Sequence, residues 1–428
     1  MLDTEVEKTI VWKNRWSIVP LIVVIVLAIL LPSSTWNVLI VTLGGIYLIS
    51  YLWARELHLH LTGERVLQGG WISVGDHLSE SFKLENSSIL PALWVELTDY
   101  SNIPGYEPSV AYQVNGRSEY KWRQSAVCLQ RGRFTIGPWR LRSGDPFGIF
   151  EVQIHYRHTE EMIIHPPLNA DLTFTLPTGL RQGDVVGRDR AMQVTNNVSA
   201  VRNYQPMDPL SWIHWPTTAR TGKLSVREFD IEAAGDAWIL IDLDQNMHEG
   251  SGMESTEEYA VLLASALTTR ILARNRAVGL ATYGENPSIL TSLKGTQQHW
   301  RILRTLAELS ADGETDLQQG LDDIQQLIKR GSALIVITPN INEDWLPNLL
   351  KLSRKQIKTT VVLLDGPSFM EHGSASQTAD HMQKTIQQLG PAAEILRRGD
   401  IELPNLESTT TDEFKITPLG GRVRATDG

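Results

Sequence analysis

Trp238-Ile239-Leu240-Ile241-Asp242-Leu243-Asp244-Gln245-Asn246-Met247 decides the reading of the carboxyl-terminal half: an unbroken apolar run that stops at an aspartate and opens into a polar loop. A run this apolar suits a strand buried on both faces, as in a parallel sheet covered by helices. The segments that follow agree. Glu257 to Arg274 has helical apolar spacing, opened by the capping signal Ser255-x-x-Glu258, and Ala277 to Tyr283 is again a strand. Trp300 to Leu309 and Leu317 to Ile328 read as helices, Ala333 to Ile337 as a strand, Trp345 to Lys351 as a helix and Thr360 to Leu364 as a further strand. Alternation of strand and helix predicts a parallel α/β domain over 236–402, whose functional edge lies at the carboxyl ends of the strands. Three loops should meet there: Asp242 to Met247, Gly313-Glu314-Thr315-Asp316, and Thr338-Pro339-Asn340. Clustered carboxylate, hydroxyl and amide oxygens suit a hard cation such as Mg²⁺.

Upstream the rhythm changes. From 57 to 160 the chain shows short apolar alternation broken by turn residues: Leu57-His58-Leu59-His60-Leu61, Leu78 to Leu84, Leu93 to Leu97 and Phe134 to Ile136. Period two with frequent turns predicts an antiparallel, β-sandwich-like domain. His58 and His60 read as an ordinary solvated strand face, because no further Cys or His stands at a ligand spacing.

Further upstream, 1–56 holds a leader and an apolar segment. Between Ser17 and Ala54 there is no Asp, Glu, Lys, Arg or His, and Pro32-Ser33-Ser34-Thr35 divides the stretch into arms Ile18–Leu31 and Val38–Trp53. This predicts a two-helix membrane hairpin, each arm short of the roughly 20 apolar residues of an ordinary span unless Trp16, Trp36 and Trp53 are included. A second apolar arm and the lack of a small-x-small site before Trp36 disfavour a cleaved leader. Lys8, Lys13 and Arg15 before the hairpin and Arg55 and Arg65 after it predict a multi-pass protein of the cell membrane with cytoplasmic soluble domains. A lone Cys128 suits that reducing compartment. The formal charge of −10 and the lack of a basic run argue against nucleic acid as a partner. The stretch 403–428 reads as a flexible tail.

The domains carry family resemblances. The α/β segment resembles a von Willebrand factor A domain, a Rossmann-type fold whose metal-ion-dependent adhesion site uses Asp-x-Ser-x-Ser, then a Thr, then an Asp. Asp242 and Thr315 match. Asp244 and Asn246 replace the serines, and Pro339 stands where the last Asp belongs, so Asp242, Asp244, Asn246 and Thr315 form a degenerate version of the site. The stretch 161–235 carries the second resemblance. Arg202-x-Tyr204, Asp208, Ile213-His214-Trp215 and Ala219-Arg220 are similar to the signature of the bacterial family called domain of unknown function 58, with Met207 for a usual Gly and Ser211 for a usual Arg. Arg131-Gly132-Arg133-Phe134 and Asp145-Pro146-Phe147-Gly148 match the same family. Arg202, Arg220 and Arg227 beside Asp208, Glu228 and Asp230, with Tyr204, Trp212 and Trp215, are expected to form a buried ion-pair and stacking clamp between the domains.

No nucleophile or phosphate loop accompanies His214, so no catalytic residue is assigned. The resemblance implies a membrane-tethered scaffold working with an AAA+ ATPase of the MoxR type and presenting its strand-end face to a protein partner. The alternatives are a metal-assisted hydrolase using Asp242, Asp244 and Asp316, and a structural membrane protein with a degenerate metal site.

Overall fold

A computed structural model describes residues 6–31, 33–67, 70–106, 108–167, 198–205, 210–229, 236–284, 287–370, 373–403, 414–416 and 422–424. The chain divides into two compact units, 1–167 with 404–428, and 168–403.

The first unit begins with strand β1 (Val6–Trp12), followed by helices α1 (Ile18–Leu30) and α2 (Ser34–His60). Then come β2 (Leu61–Leu67), β3 (Ile72–Ser73), β4 (His77–Asn86), β5 (Ala92–Asp99), β6 (Val110–Val114), β7 (Ser118–Val127), β8 (Gly132–Ile136), β9 (Trp139–Gly144), β10 (Phe150–Tyr156) and β11 (Glu160–His165). They form sheets in the orders β1-β10-β9-β5-β6, β2-β4-β7 and β3-β11-β8. Phe82, Leu84 and Trp122 of the second sheet share a core with Val95, Leu97, Leu141, Val152 and Ile154 of the first, which is the sandwich-like packing the alternation predicts.

Two sequence readings are corrected here. The strand expected over Leu57–Leu61 is the last turn of α2, which runs to His60. Ser50, Ala54 and Leu57 are its buried residues, a spacing of four and three that continues one helical stripe into the β core, while Leu59 is 52% exposed. His58 and His60 therefore lie on a helix. The hairpin is also unequal. Among the described residues only α2, with 27 residues, is long and apolar enough to cross a bilayer. Helix α1 has 13 residues, about 20 Å at the usual helical rise, and packs against α2. The described part of the leader, moreover, holds a strand: β1 pairs antiparallel with β10 over Val6–Tyr156 to Trp12–Phe150, so residues on either side of both helices share one sheet.

The second unit begins with an antiparallel pair, β12 (Val198–Asn203) and β13 (Ser225–Phe229), with α3 (Trp215–Thr221) between them. The α/β domain follows: β14 (Ala237–Asp242), α4 (Thr256–Ala273), β15 (Val278–Tyr283), β16 (Ser288–Leu293), α5 (Thr296–Ala307), α6 (Leu317–Leu327), β17 (Ala333–Thr338), α7 (Leu346–Arg354), β18 (Lys358–Leu364), α8 (Gln377–Gln388) and β19 (Ala392–Leu396). The sheet order is β16-β15-β14-β17-β18-β19, parallel throughout except for β16, which sequence reading missed. Successive residues of β14 face opposite layers. Ile239 and Ile241 pack with α4 and α5, and Trp238 and Leu240 with α6, α7 and α8. Gly279, beside Trp238 in register, is held to glycine because a Cβ would lie 2.6 Å from the indole. Ser255 Oγ accepts from Glu258 N at 3.2 Å, so α4 starts where the capping signal predicts.

The expected tail lies mostly outside the described residues. Within it, β20 (Phe414–Ile416) pairs with β21 (Arg422–Arg424).

Candidate functional site

The order of strands reverses around β14, with β15 on one side and β17 on the other, so the carboxyl ends of β14 and β17 flank the crevice where such sheets bind ligands. Their last residues, Asp242 and Thr338, are joined: the Thr338 hydroxyl donates to Asp242 Oδ2 at 2.6 Å. Asp242 Oδ1 accepts from Asp244 N at 3.3 Å. Beyond the strand, Asp244 Oδ1 accepts from Asn246 N and Nδ2, both at 3.0 Å, an Asx-type turn that closes the loop on itself. Gly313 pairs with Asp244 in a parallel bridge, and its carbonyl accepts from Gln245 N at 3.0 Å. The three expected loops do converge, and half-buried Thr315 lies two residues beyond that bridge. His248 and Thr256 also belong to the site. His248 Nε2 donates to the Asp242 carbonyl at 2.9 Å, while Nδ1 lies 2.9 Å from Thr256 Oγ1.

Asp242 is 2% exposed, and among the described residues no Lys or Arg pairs with it. Burial pushes its carboxyl above the ordinary aspartate value, against the pull of Thr338, the Asp244 amide and His248. A Mg²⁺ site needs several oxygens aimed at one point. Here both Asp242 oxygens are engaged by hydrogen-bond donors, Asp244 and Asn246 bond each other, and no cluster of three or more His, Cys, Asp or Glu among the described residues has a metal-holding arrangement. As arranged, the Asp242 and Asp244 carboxylates are held by protein donors, and a hard cation at Asp242, Asp244, Asn246 and Thr315 would have to share or displace them.

Charge is divided across the sheet. The loops at this edge, 243–255, 308–316, 339–345 and 365–376, contain no Lys or Arg, and Glu249, Asp312, Glu314, Asp316, Glu343 and Asp344 are exposed on them. The arginines that follow β19 at this edge are paired: Arg397 bonds Asp365 at 3.1 Å and Asp380 at 2.7 Å, and Arg398 bonds Glu254. The opposite edge carries Arg274, Lys294, Lys329, Arg330, Lys355 and Lys358, all exposed.

The signature residues are on the β12–α3–β13 segment. Arg202 pairs through its backbone with Val226, Tyr204 N donates to Leu224 O at 2.9 Å, and Ile213 is buried and bridged to Val226. His214 N donates to Ser225 O at 2.8 Å, and its Nδ1 lies 2.7 Å from Thr217 Oγ1. Helix α3 ends on Gly222 at φ +68°, the left-handed cap that favours glycine. The expected buried clamp is corrected in part, because Trp215 is 63% exposed and Ala219 and Arg220 also face solvent. Asp208 and Asp230 lie outside the described residues, as do the side chains of Arg202, Arg227 and Glu228. In the first unit, the Asp145 loop is a turn braced by its own aspartate: the carboxylate accepts from Phe147 N at 2.8 Å and Phe150 N at 2.6 Å.

Comparison with known proteins agrees with the second resemblance. Residues 200–372 match the model of the family described as "Protein of unknown function DUF58". The uncharacterized protein YeaD of Bacillus subtilis (strain 168) is 25% identical over 220 residues, 51% of this chain and 53% of that protein. The uncharacterized protein Rv1480 of Mycobacterium tuberculosis (strain ATCC 25618 / H37Rv) is 24% identical over 222 residues, 51% of this chain and 62% of that protein. The match thus spans less than two thirds of either relative. A solved structure, von Willebrand factor type A from Catenulispora acidiphila, aligns at 13% identity over 39% of each chain with a TM-score of 0.26.

Proposed function

We propose that this protein is a non-catalytic, membrane-tethered scaffold that offers the acidic carboxyl edge of its von Willebrand factor A-like sheet to a protein with a basic surface. A MoxR-type AAA+ ATPase is the partner the family resemblance implies. The observation that carries the reading is the charge division: exposed acids and no Lys or Arg in the loops around Asp242, against exposed bases at the other end of the same strands. Complementary charge steers encounter and rejects wrong partners. The closure of Asp242 by Thr338 and the Asp244 amide supports binding by charge and shape rather than through a cation.

The tether is α1 with α2. Because β1 precedes both helices and pairs with β10 beyond them, the pairing favours a hairpin whose two ends lie on one side of the bilayer, the shorter α1 entering it beside α2. The basic flanks Lys8, Lys13, Arg15 and Arg55 favour the cytoplasmic side.

The test is a crosslinking pull-down from detergent-solubilised membranes, comparing the intact protein with Glu314→Lys/Asp316→Lys, in Mg²⁺ and in chelator. The expected result is an AAA+ ATPase recovered with the intact protein in either medium and lost with the charge-reversed form. Loss in chelator alone would restore a metal-dependent face, and no ATPase in any arm would remove the adaptor function.

A further inference from the structure

The Asp145–Gly148 turn has a feature its fold does not explain. A buried carboxylate, 2% exposed, braces the turn through Phe147 N and Phe150 N, and Gly148 takes φ +68°, yet the ring so positioned, Phe147, is 54% exposed. A single exposed ring is ordinary on a protein surface, and Phe147 gains significance only from the apolar and aromatic surface that lies beside it.

Its place in the sheet supplies that surface. Strand β1 runs toward the helices, and its last residue, Trp12, pairs with Phe150, the first residue of β10. Lys13 N then donates to Ile149 O at 3.0 Å, so the turn sits against the chain just before the apolar helices begin. Tyr51 of α2 meets the Phe150 ring at 5.9 Å, and Trp12 meets it at 6.1 Å. Trp16, at the foot of α1, is 82% exposed. Below Ser50, where α2 becomes buried in the β core, its apolar side chains are open: Val41 is 74% exposed, Leu48 59% and Ile49 52%. Aromatic rings with Lys13 and Arg15 thus surround the junction between exposed apolar helix and folded domain, which is the chemistry of a bilayer interface.

We infer that the Asp145–Gly148 turn is a second membrane contact, seating Phe147 in the headgroup region of the bilayer that holds the hairpin. The inference rests on the tether described above. It makes the five-stranded sheet stand with its Trp12–Phe150 end on the lipid and its Val6–Tyr156 end away from it, about 20 Å further at the usual rise per strand residue. Occupancy of the interface by Phe147 also restricts rotation of the domain about its helical stalk.

The experiment uses the full chain in vesicles of mixed zwitterionic and anionic phospholipid, with Cys128→Ala removing the native thiol. Nitroxide labels are placed singly at Phe147→Cys, Val41→Cys and Arg157→Cys, the last an exposed site at the far end of β10. Oxygen and a water-soluble nickel chelate report depth. The expected result is Val41 in the hydrocarbon, Phe147 at the interface with a severalfold higher oxygen-to-nickel accessibility ratio than Arg157, and Arg157 in water. Phe147 matching Arg157 while Val41 is in lipid overturns this inference alone. Val41 in water overturns the tether, and the inference with it. Near-ultraviolet circular dichroism of each labelled protein verifies that the fold is kept.

Discussion

Each unit buries carboxylates, and the two treat them differently. In the sandwich-like unit, Glu80 and Asp99 are closed off from water but share one guanidinium: Arg65 bonds both Glu80 oxygens at 2.9 and 3.0 Å and Asp99 at 2.8 Å, with Tyr106 also on Glu80. Burial alone would lower the Arg65 guanidinium, but the hydrogen bonds it donates to Glu80 and the surrounding negative charge raise it. In the α/β unit, Asp242 is as deeply buried and has a hydroxyl and an amide instead of a cation. The first arrangement ties β2, β4 and β5 together. The second holds a buried acid, without an Arg or Lys partner among the described residues, at the edge where such sheets meet their ligands.

The largest expected effect breaks the first arrangement. Arg65→Met leaves Glu80 and Asp99 buried without a counter-charge, and removing one partner of such a set costs about 3–5 kcal/mol. Arg65→Lys should recover only part, since an ammonium lacks the fork that spans both Glu80 oxygens. Denaturant midpoints followed by near-ultraviolet circular dichroism measure both; a loss below about 1 kcal/mol would mean water already reaches the cluster. Next comes Leu57→Ala, expected to cost about 2–5 kcal/mol because Leu57 is fully buried in the sandwich core. Leu59→Ala, two residues on and half exposed, should cost under about 0.5 kcal/mol. Equal costs would restore the strand that the local sequence suggests.

That pair of leucines also shows where the sequence was legible. Leu57-His58-Leu59-His60-Leu61 alternates in twos, and the helical stripe through Ser50 and Ala54 starts inside the apolar segment, where Ile49, Tyr51, Leu52 and Trp53 leave no polar face to mark it. Strand β1 was hidden because Glu7 and Lys8 dilute its pattern and its partner lies far along the chain. By contrast, Trp238–Ile241, Ala333–Ile337 and Thr360–Leu364 were plain, since a strand covered on both faces has no polar interruption. Strand β16 alternates between half-buried and exposed at the sheet margin and carries no such signal. At the site, Asp242, Asp244 and Asn246 stood out on one loop. The tie between Asp242 and Thr338 depends on β14 lying beside β17, a fact of topology that local spacing does not hold.

Charge reversal at Glu314 and Asp316 sharpens the comparison at the exposed edge. The double lysine variant should bind the proposed basic partner about tenfold more weakly, mainly through slower association, with the deficit shrinking as salt rises. Stability should stay within about 0.5 kcal/mol, because both side chains are solvent-exposed.

The smallest expected effect is the most discriminating. A carboxyl whose folded value is raised above the ordinary 3.8 binds its proton more tightly in the folded state. Its contribution to stability is therefore fully present below about pH 3.8 and is lost as pH rises through the raised folded value. At neutral pH the raised affinity of folded Asp242 for its proton counts against folding, and Asp242→Asn removes that opposition while keeping a group able to bond Thr338. Slow hydrogen exchange of the β14 and β17 amides should accordingly be better protected in Asp242→Asn than in the native protein at pH 7, with the difference closing toward pH 4. Parallel profiles would mean that a positive charge already compensates Asp242. The two buried clusters would then be alike, and the acidic edge would have to be read again as a cation site.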